Sequence, residues 1–483
     1  MHQTSMENPL AEAFDRSTYA GLMQRGAFQE VMIALQPQLA RAPSDPGMLD
    51  LVADCYFGLG RADRGIEVLE AIVATWPDDL AAWGKLGARS LQSGHKERAA
   101  EAFKAILKHN PNSAQALSTL YLAAPYTWDS AHGKRLRRLA SSAKLSKAEK
   151  VSASNTLGKL ASAADKPAIA FRYFQVAKDA TPGSYDSSET SASVAAQCQS
   201  FDPKRLPQIT TTGNTKTGDT SRPLFVVGLP RSGTTLLETM LRAHPHVASI
   251  GESPALIQTR QAIQNHLRQH DPAAPDWAWC DQTSPELAQA GREAYLAQLS
   301  QPDTAPGTVP CRVTIDKLPQ NLFEMGFARM ILPDARFVFM MRHPLDIGLS
   351  LFTTNFHQGH YYSKDLKSIG QHIRANYASL DDYIPKLGDR VRLQSYRQLV
   401  ETPEPQMRAI LAHLDLGWEA ACLAPQDSKE SVTTASLLQV REGVNRSGLN
   451  KWQRFETQLQ PLIDALGGWD WIKEWEARDA TLD

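Results

Sequence analysis

The sequence predicts a chain of two architectures, an α-helical solenoid followed by an α/β half with a mainly parallel sheet. Three observations carry this. Glycines and prolines recur every 34 residues in the first part of the chain. From Leu224 onward, short apolar runs alternate with amphipathic stretches, the pattern of a sheet covered by helices. The first of those runs ends in a glycine-rich turn, Gly228-Leu-Pro-Arg-Ser-Gly233-Thr-Thr-Leu-Leu237.

The helical half comes first. Pro43, Pro77 and Pro111 are spaced by 34, and so are Gly26, Gly60 and Gly94. That is the tetratricopeptide period. The best-fitting unit carries Trp83, Leu86, Gly87, Ala99, Phe103 and Pro111. A later unit reappears at Leu157, Gly158, Ala170, Phe174, Ala177 and Pro182, while Ser113 to Lys150 is helical in composition but out of register. Small residues let paired helices approach, and large ones fill the space between repeats. The concave face of such an array suits a peptide, a partner subunit or the chain's own second half, and nothing in the repeats chooses among them. Ser184 to Ser193 reads as a loop, Val194 to Ala196 as part of a short helix, and Thr210 to Ser221 as a flexible connector.

In the second half, strands are predicted at Leu224–Val227, Val247–Ile250, Val313–Ile315, Arg336–Met341 and Val391–Leu393. Each is followed by polar residues: the glycine-rich turn, Glu252, Lys317, Arg342 and Tyr396. In open α/β sheets ligands bind beyond the carboxyl ends of the strands, so these five segments should converge on one edge. The turn has the Gly-x-x-x-x-Gly frame of a Walker A loop, but Thr234 stands where a nucleotide hydrolase carries lysine, and Arg231 supplies the cation. Backbone N–H groups at the start of the following helix would hold an anion.

Charge and composition bound the partners. The 483 residues carry 51 basic and 52 acidic side chains, a net charge of −1 that gives no footprint for nucleic acid or an anionic membrane. The first residues are polar and acidic, without the apolar core of a signal peptide, and no apolar run approaches the ~20 residues of a membrane span. Five scattered cysteines show neither a disulfide framework nor a zinc pattern. A cytoplasmic chain without a metal is expected.

The turn, together with Arg342 and Ser350 eight residues apart in MRHPLDIGLS, resembles the sites for 3′-phosphoadenosine 5′-phosphosulfate (PAPS) in sulfotransferases. The order of motifs is similar to protein-tyrosine sulfotransferases and to bacterial sulfotransferases with N-terminal tetratricopeptide repeats. The resemblance implies a P-loop-like sulfotransferase domain at 222–483, after a repeat domain at 1–190 and a linker at 191–221. It implies that Arg231, Ser232, Gly233, Thr234 and Thr235 hold the 5′-phosphosulfate, and that Arg342 and Ser350 hold the 3′-phosphate. Glu252 would be the general base toward a hydroxyl acceptor, with Arg231, Lys317 and Ser436 stabilising the sulfuryl group. Arg441, Asn445 and Lys451 lie in a late segment that would close over the nucleotide, and Tyr396 would contact it or serve as a core tyrosine.

Some features stay open at this level. Thr354 replaces an arginine seen in the tyrosine-sulfating enzymes, which weakens a phosphate contact of that pattern, and the acceptor need not be a protein tyrosine: a tyrosyl peptide, a glycan and a small molecule stay open. His244, His246, His357 and His360 are available as alternative bases. Asp316 could instead be a Walker B carboxylate of a divergent ATP-dependent P-loop kinase. A repeat scaffold with an inactive transferase domain is the remaining alternative.

Overall fold

The computed structural model describes residues 14–142, 144–209, 221–299, 310–356, 359–424 and 444–482. They form two compact units, divided between Lys166 and Pro167.

The first unit is entirely helical, and its period has a conformational cause. Gly26, Gly60 and Gly94 each take a positive φ, of 71°, 72° and 86°, in the turn before a helix. Glycine alone adopts that backbone at little cost. The following helices, Phe28–Arg41, Ala62–Thr75 and Lys96–His109, alternate with Pro46–Gly58, Leu80–Gln92 and Ala114–Ala123. Each of the latter three is opened by a side-chain cap, and the caps Asp45, Asp79 and Ser113 recur with the same 34-residue spacing. Gly87 is small because the Phe103 ring lies against it: a Cβ there would sit 2.7 Å from the ring. After Ala123 the register is lost to an inserted connection, whose Thr127 and Trp128 carbonyls press on Gly133 of the Ala131–Ala140 helix. A Ser146–Glu149 capping box then starts Lys147–Ala163.

The second unit opens with two helices, Pro167–Ala180 and Ser187–Ser200. The expected repeat domain ran to 190, yet Pro167–Ala180 belongs to the α/β unit. The expected loop at Ser184–Ser193 and the start of the expected linker are replaced largely by Ser187–Ser200, capped by Asp186. Burial explains the difference. The Gln197 amide donates to the Ser379 carbonyl at 3.1 Å and accepts from the Ser379 hydroxyl at 2.6 Å, which anchors a serine-rich helix of weak amphipathicity. Residues 210–220, read as the connector, lie outside the described residues.

Five strands follow: β1 Arg222–Gly228, β2 Val247–Ser249, β3 Val313–Asp316, β4 Arg336–Met341 and β5 Val391–Ser395. All five predicted strands are present. They pair in parallel in the order β2-β3-β1-β4-β5, with Leu224 opposite Ile315 and Arg336. Both faces are covered, which is why β1 and β4 read as continuous apolar runs. On one face Leu224, Val226, Ile315 and Val338 pack with Leu237, Met240 and Leu241 of the Thr234–Arg242 helix. On the other, Phe225 stacks on Phe337 at 5.5 Å, with Tyr295 beside it. Because every strand runs the same way, the residues after each strand share one edge of the sheet, and β1 lies at its centre.

Candidate active site

Three segments build the anion-binding half of the site. Gly228 leaves β1 at φ +143°, Arg231 takes φ +73°, and Gly233 caps the Thr234–Arg242 helix at φ +108°. A non-glycine residue in the left-handed region is uncommon and clusters at functional loops. Gly233 is required twice over, by its φ and because a Cβ would lie 2.5 Å from the Tyr396 ring. Ser232 is wholly buried, and among the described residues its Oγ has no hydrogen-bond partner. Thr234 and Thr235 are buried in the first helical turn.

The end of β4 supplies the second segment. The Arg342 guanidinium donates to the Arg231 carbonyl at 2.7 Å and to the Gly448 carbonyl at 2.5 Å, and lies 4.6 Å over the Tyr396 ring. Its Nε is buried and has no partner among the described residues. Ser350, in the Pro344–Thr353 helix, accepts from Arg231 Nε at 3.0 Å. Sequence reading assigned Arg231 and Ser350 to opposite ends of the nucleotide; here their side chains are hydrogen-bonded. Burial and the neighbouring Arg342 push the Arg231 guanidinium down to about 10. Two cations this close, with two buried polar atoms lacking partners, fit an anion with several oxygens.

The late segment closes this side. Buried Asp346 accepts from the backbone N–H of Asn450 at 2.8 Å and of Trp452 at 3.1 Å. Gly448 packs so tightly that a Cβ would lie 2.5 Å from the Tyr396 hydroxyl. Asn445 caps the short turn that contains Gly448, and Lys451 is exposed beyond it. Tyr396 is largely buried and belongs to the sheet core, so it forms the floor beneath Arg342. Ser436, Arg441 and His357 lie outside the described residues.

The ends of β2 and β3 form the second half. Lys317 follows β3 and is completely buried, with its ammonium paired to Glu252 and, at 3.5 Å, to Glu238. Glu252 is 43% exposed, whereas Glu238 is 4% exposed and accepts from Ser249 Oγ at 2.6 Å. Glu252 therefore neither caps the Ala255–His270 helix nor binds Arg260, whose Nε meets Glu324 at 2.6 Å. Asp316 accepts from the Tyr295 hydroxyl at 2.9 Å and from Asn321 at 3.0 Å, and burial pushes its carboxyl up to about 7. It is committed to interior hydrogen bonds. His244 is bonded to the Gly417 carbonyl at 3.2 Å and His246 to the Pro310 carbonyl at 2.8 Å. His360 packs on Phe356 at 4.4 Å; burial pushes its pKa below the ordinary value, against an opposing pull from Glu252.

Sequence reading missed Glu238, Gly448 and Lys178. A lone charge inside an otherwise buried helix was the available signal for Glu238; none marked the other two. Lys178, on Pro167–Ala180, donates to the carbonyls of Leu351 at 3.1 Å and Thr354 at 2.8 Å and to Ser363 Oγ at 3.3 Å, so it satisfies the end of the helix that bears Ser350. Among the described residues it forms no ion pair, and burial pushes its ammonium down to about 7. Between that value and its ordinary 10.5 the unfolded chain binds more protons, so this group's contribution makes stability rise with pH across that window. Thermal melts should show the wild type gaining on Lys178→Met from pH 7 to pH 9. A constant difference would remove the burial cost.

Residues 223–420 match the family model described as the sulfotransferase family. A protein of Aquifex aeolicus is 31% identical over 249 residues, covering 51% of this chain and 32% of its own length. The protein-tyrosine sulfotransferase of Drosophila melanogaster is 29% identical over 274 residues, covering 50% of this chain and 51% of its own. The chain thus spans about a third and about half of these two relatives. The sulfotransferase domain of the Synechococcus PCC 7002 olefin synthase is 21% identical and aligns at a TM-score of 0.35, over 51% of this chain and 91% of its own. Downstream of its helical repeats, this chain carries a domain of the sulfotransferase family at residues 223–420.

Proposed function

We propose that the α/β unit transfers a sulfuryl group from PAPS to a hydroxyl acceptor. The observation that carries this is the pair of buried polar atoms, Ser232 Oγ and Arg342 Nε, that have no hydrogen-bond partner among the described residues and lie beside two closely spaced arginines. PAPS supplies the sulfuryl group and two anionic ends. Arg231, Ser232 and the N–H groups of Gly233 to Thr235 would bind the phosphosulfate, and Arg342 with Ser350 the 3′-phosphate. Since Arg231 also reaches Ser350, it is suited to bridge both ends. Glu252, exposed at the same sheet edge, would take the acceptor's proton as the new S–O bond forms and the old one breaks, its electron pair leaving on the 5′-phosphate oxygen. Lys317 and Arg231 would stabilise charge on the transferred group and the leaving oxygen. A tyrosyl peptide, a glycan or a small phenol all meet the acceptor requirement.

Calorimetry with adenosine 3′,5′-bisphosphate and ATP tests the donor assignment. The bisphosphate should bind and ATP should not; ATP binding with no bisphosphate binding would favour a kinase and sink the proposal. Arg342→Ala should weaken bisphosphate binding by roughly 10- to 100-fold, the worth of one charge-assisted hydrogen bond. An unaltered affinity would remove Arg342 from the 3′-phosphate. Release of radiolabel from PAPS onto a panel of phenols, sugars and tyrosyl peptides then separates an active enzyme from an inactive scaffold.

A further inference from the structure

The geometry points to Glu238 as a positioning residue that shares Lys317 with Glu252 and holds the ammonium in place when Glu252 takes up a proton. This rests on the transferase reading and adds a residue outside the motifs that suggested it. Glu238 lies in the helix that opens at the glycine-rich turn, and Ser249 at the end of β2 fixes its carboxylate with a 2.6 Å hydrogen bond. Lys317 stands between this buried carboxylate and the exposed one.

The charge arithmetic gives Glu238 a role. A lysine paired with Glu252 alone would stabilise the carboxylate and lower its readiness to accept a proton. With Glu238 present, the cluster carries one net negative charge before proton transfer and none after it, so the ammonium is never left buried without a partner. Glu238 also tethers Lys317 when Glu252 turns to the acceptor. The other titratable groups nearby are Asp316 at the end of β3, its partner Tyr295 in the Pro285–Leu299 helix, and His360, which feels the Glu252 charge. Beyond them lies Lys178, which acts on His360.

Glu238→Gln tests this in the full chain. The expected result is a fall in kcat of about tenfold, the scale of coupling inside one ion-pair network. Acceptor KM and bisphosphate affinity should stay unchanged, and the acid limb of the pH–rate profile should move to lower pH. In protein labelled with ¹³C at the glutamate carboxyl carbons, the Glu252 signal is assigned by its loss in Glu252→Gln. That signal should also titrate at lower pH once Glu238 is neutral. A folded variant with wild-type kcat, or with reduced kcat and an unmoved acid limb, overturns the inference. If Glu238→Gln does not fold, Ser249→Ala loosens the same carboxylate and should lower kcat in a folded protein; wild-type kcat there overturns it as well. Absence of PAPS turnover in the wild type would defeat the transferase reading instead, and the Glu252 titration, which needs no turnover, then decides the charge sharing by itself.

Discussion

Glu252→Gln is expected to lower sulfuryl transfer by roughly 10²- to 10⁴-fold, the usual contribution of a general base. Bisphosphate affinity should stay within about twofold, because the anion cradle is built elsewhere. The physical separation is clear in the fold. Arg231, Ser232, Arg342 and Ser350 stand after β1 and β4, whereas Glu252 follows β2 at the far side of β3. Glutamine keeps the shape of the side chain and can still accept from the buried Lys317 ammonium, so little should rearrange. It cannot take a proton. Single-turnover transfer and calorimetry on the same preparation give both numbers. Wild-type turnover would strip Glu252 of its role, and His360, on its aromatic wall, would become the next base to test. Loss of bisphosphate binding would instead make Glu252 part of the donor cradle.

The sheet and its edge were legible because β1 and β4, covered on both faces, leave continuous apolar runs, and each strand is followed by polar residues. The repeats were legible where the turn glycines and the helix caps keep one period. Reading failed where tertiary contacts decide. Ser187–Ser200 has a loop-like composition and becomes a helix through Gln197 and its bonds to Ser379. The helix Pro167–Ala180 has the repeat's residues, yet Lys178 reaches across 173 positions to the Leu351 carbonyl within the α/β unit. Glu238 was hidden because its partner lies on another strand end, 79 residues away, and one glutamate among leucines states no purpose until the ammonium is seen beside it. The Arg231–Ser350 bond joins residues 119 apart and was equally out of reach.

Lys317→Met should be the most damaging substitution, since it removes the cation proposed to stabilise the transferred group and breaks a buried ion pair. The fully buried Glu238–Lys317 contact predicts a loss of about 3–5 kcal/mol of stability, the usual cost of leaving one buried charge without its partner. In urea unfolding this should appear as a lower midpoint with an unchanged slope. Glu252 adds little to that loss, because water reaches it. The double variant Lys317→Met/Glu238→Gln separates the two effects. Neutralising the stranded carboxylate, whose Ser249 hydrogen bond can persist to the amide, should restore most of the midpoint while transfer stays abolished. A single variant as stable as the wild type would mean that the pair contributes nothing net. A double variant as unstable as the single would place the cost in lost packing around the lysine stem. Recovery of stability without recovery of transfer is the outcome that a catalytic lysine with a buried counter-charge requires.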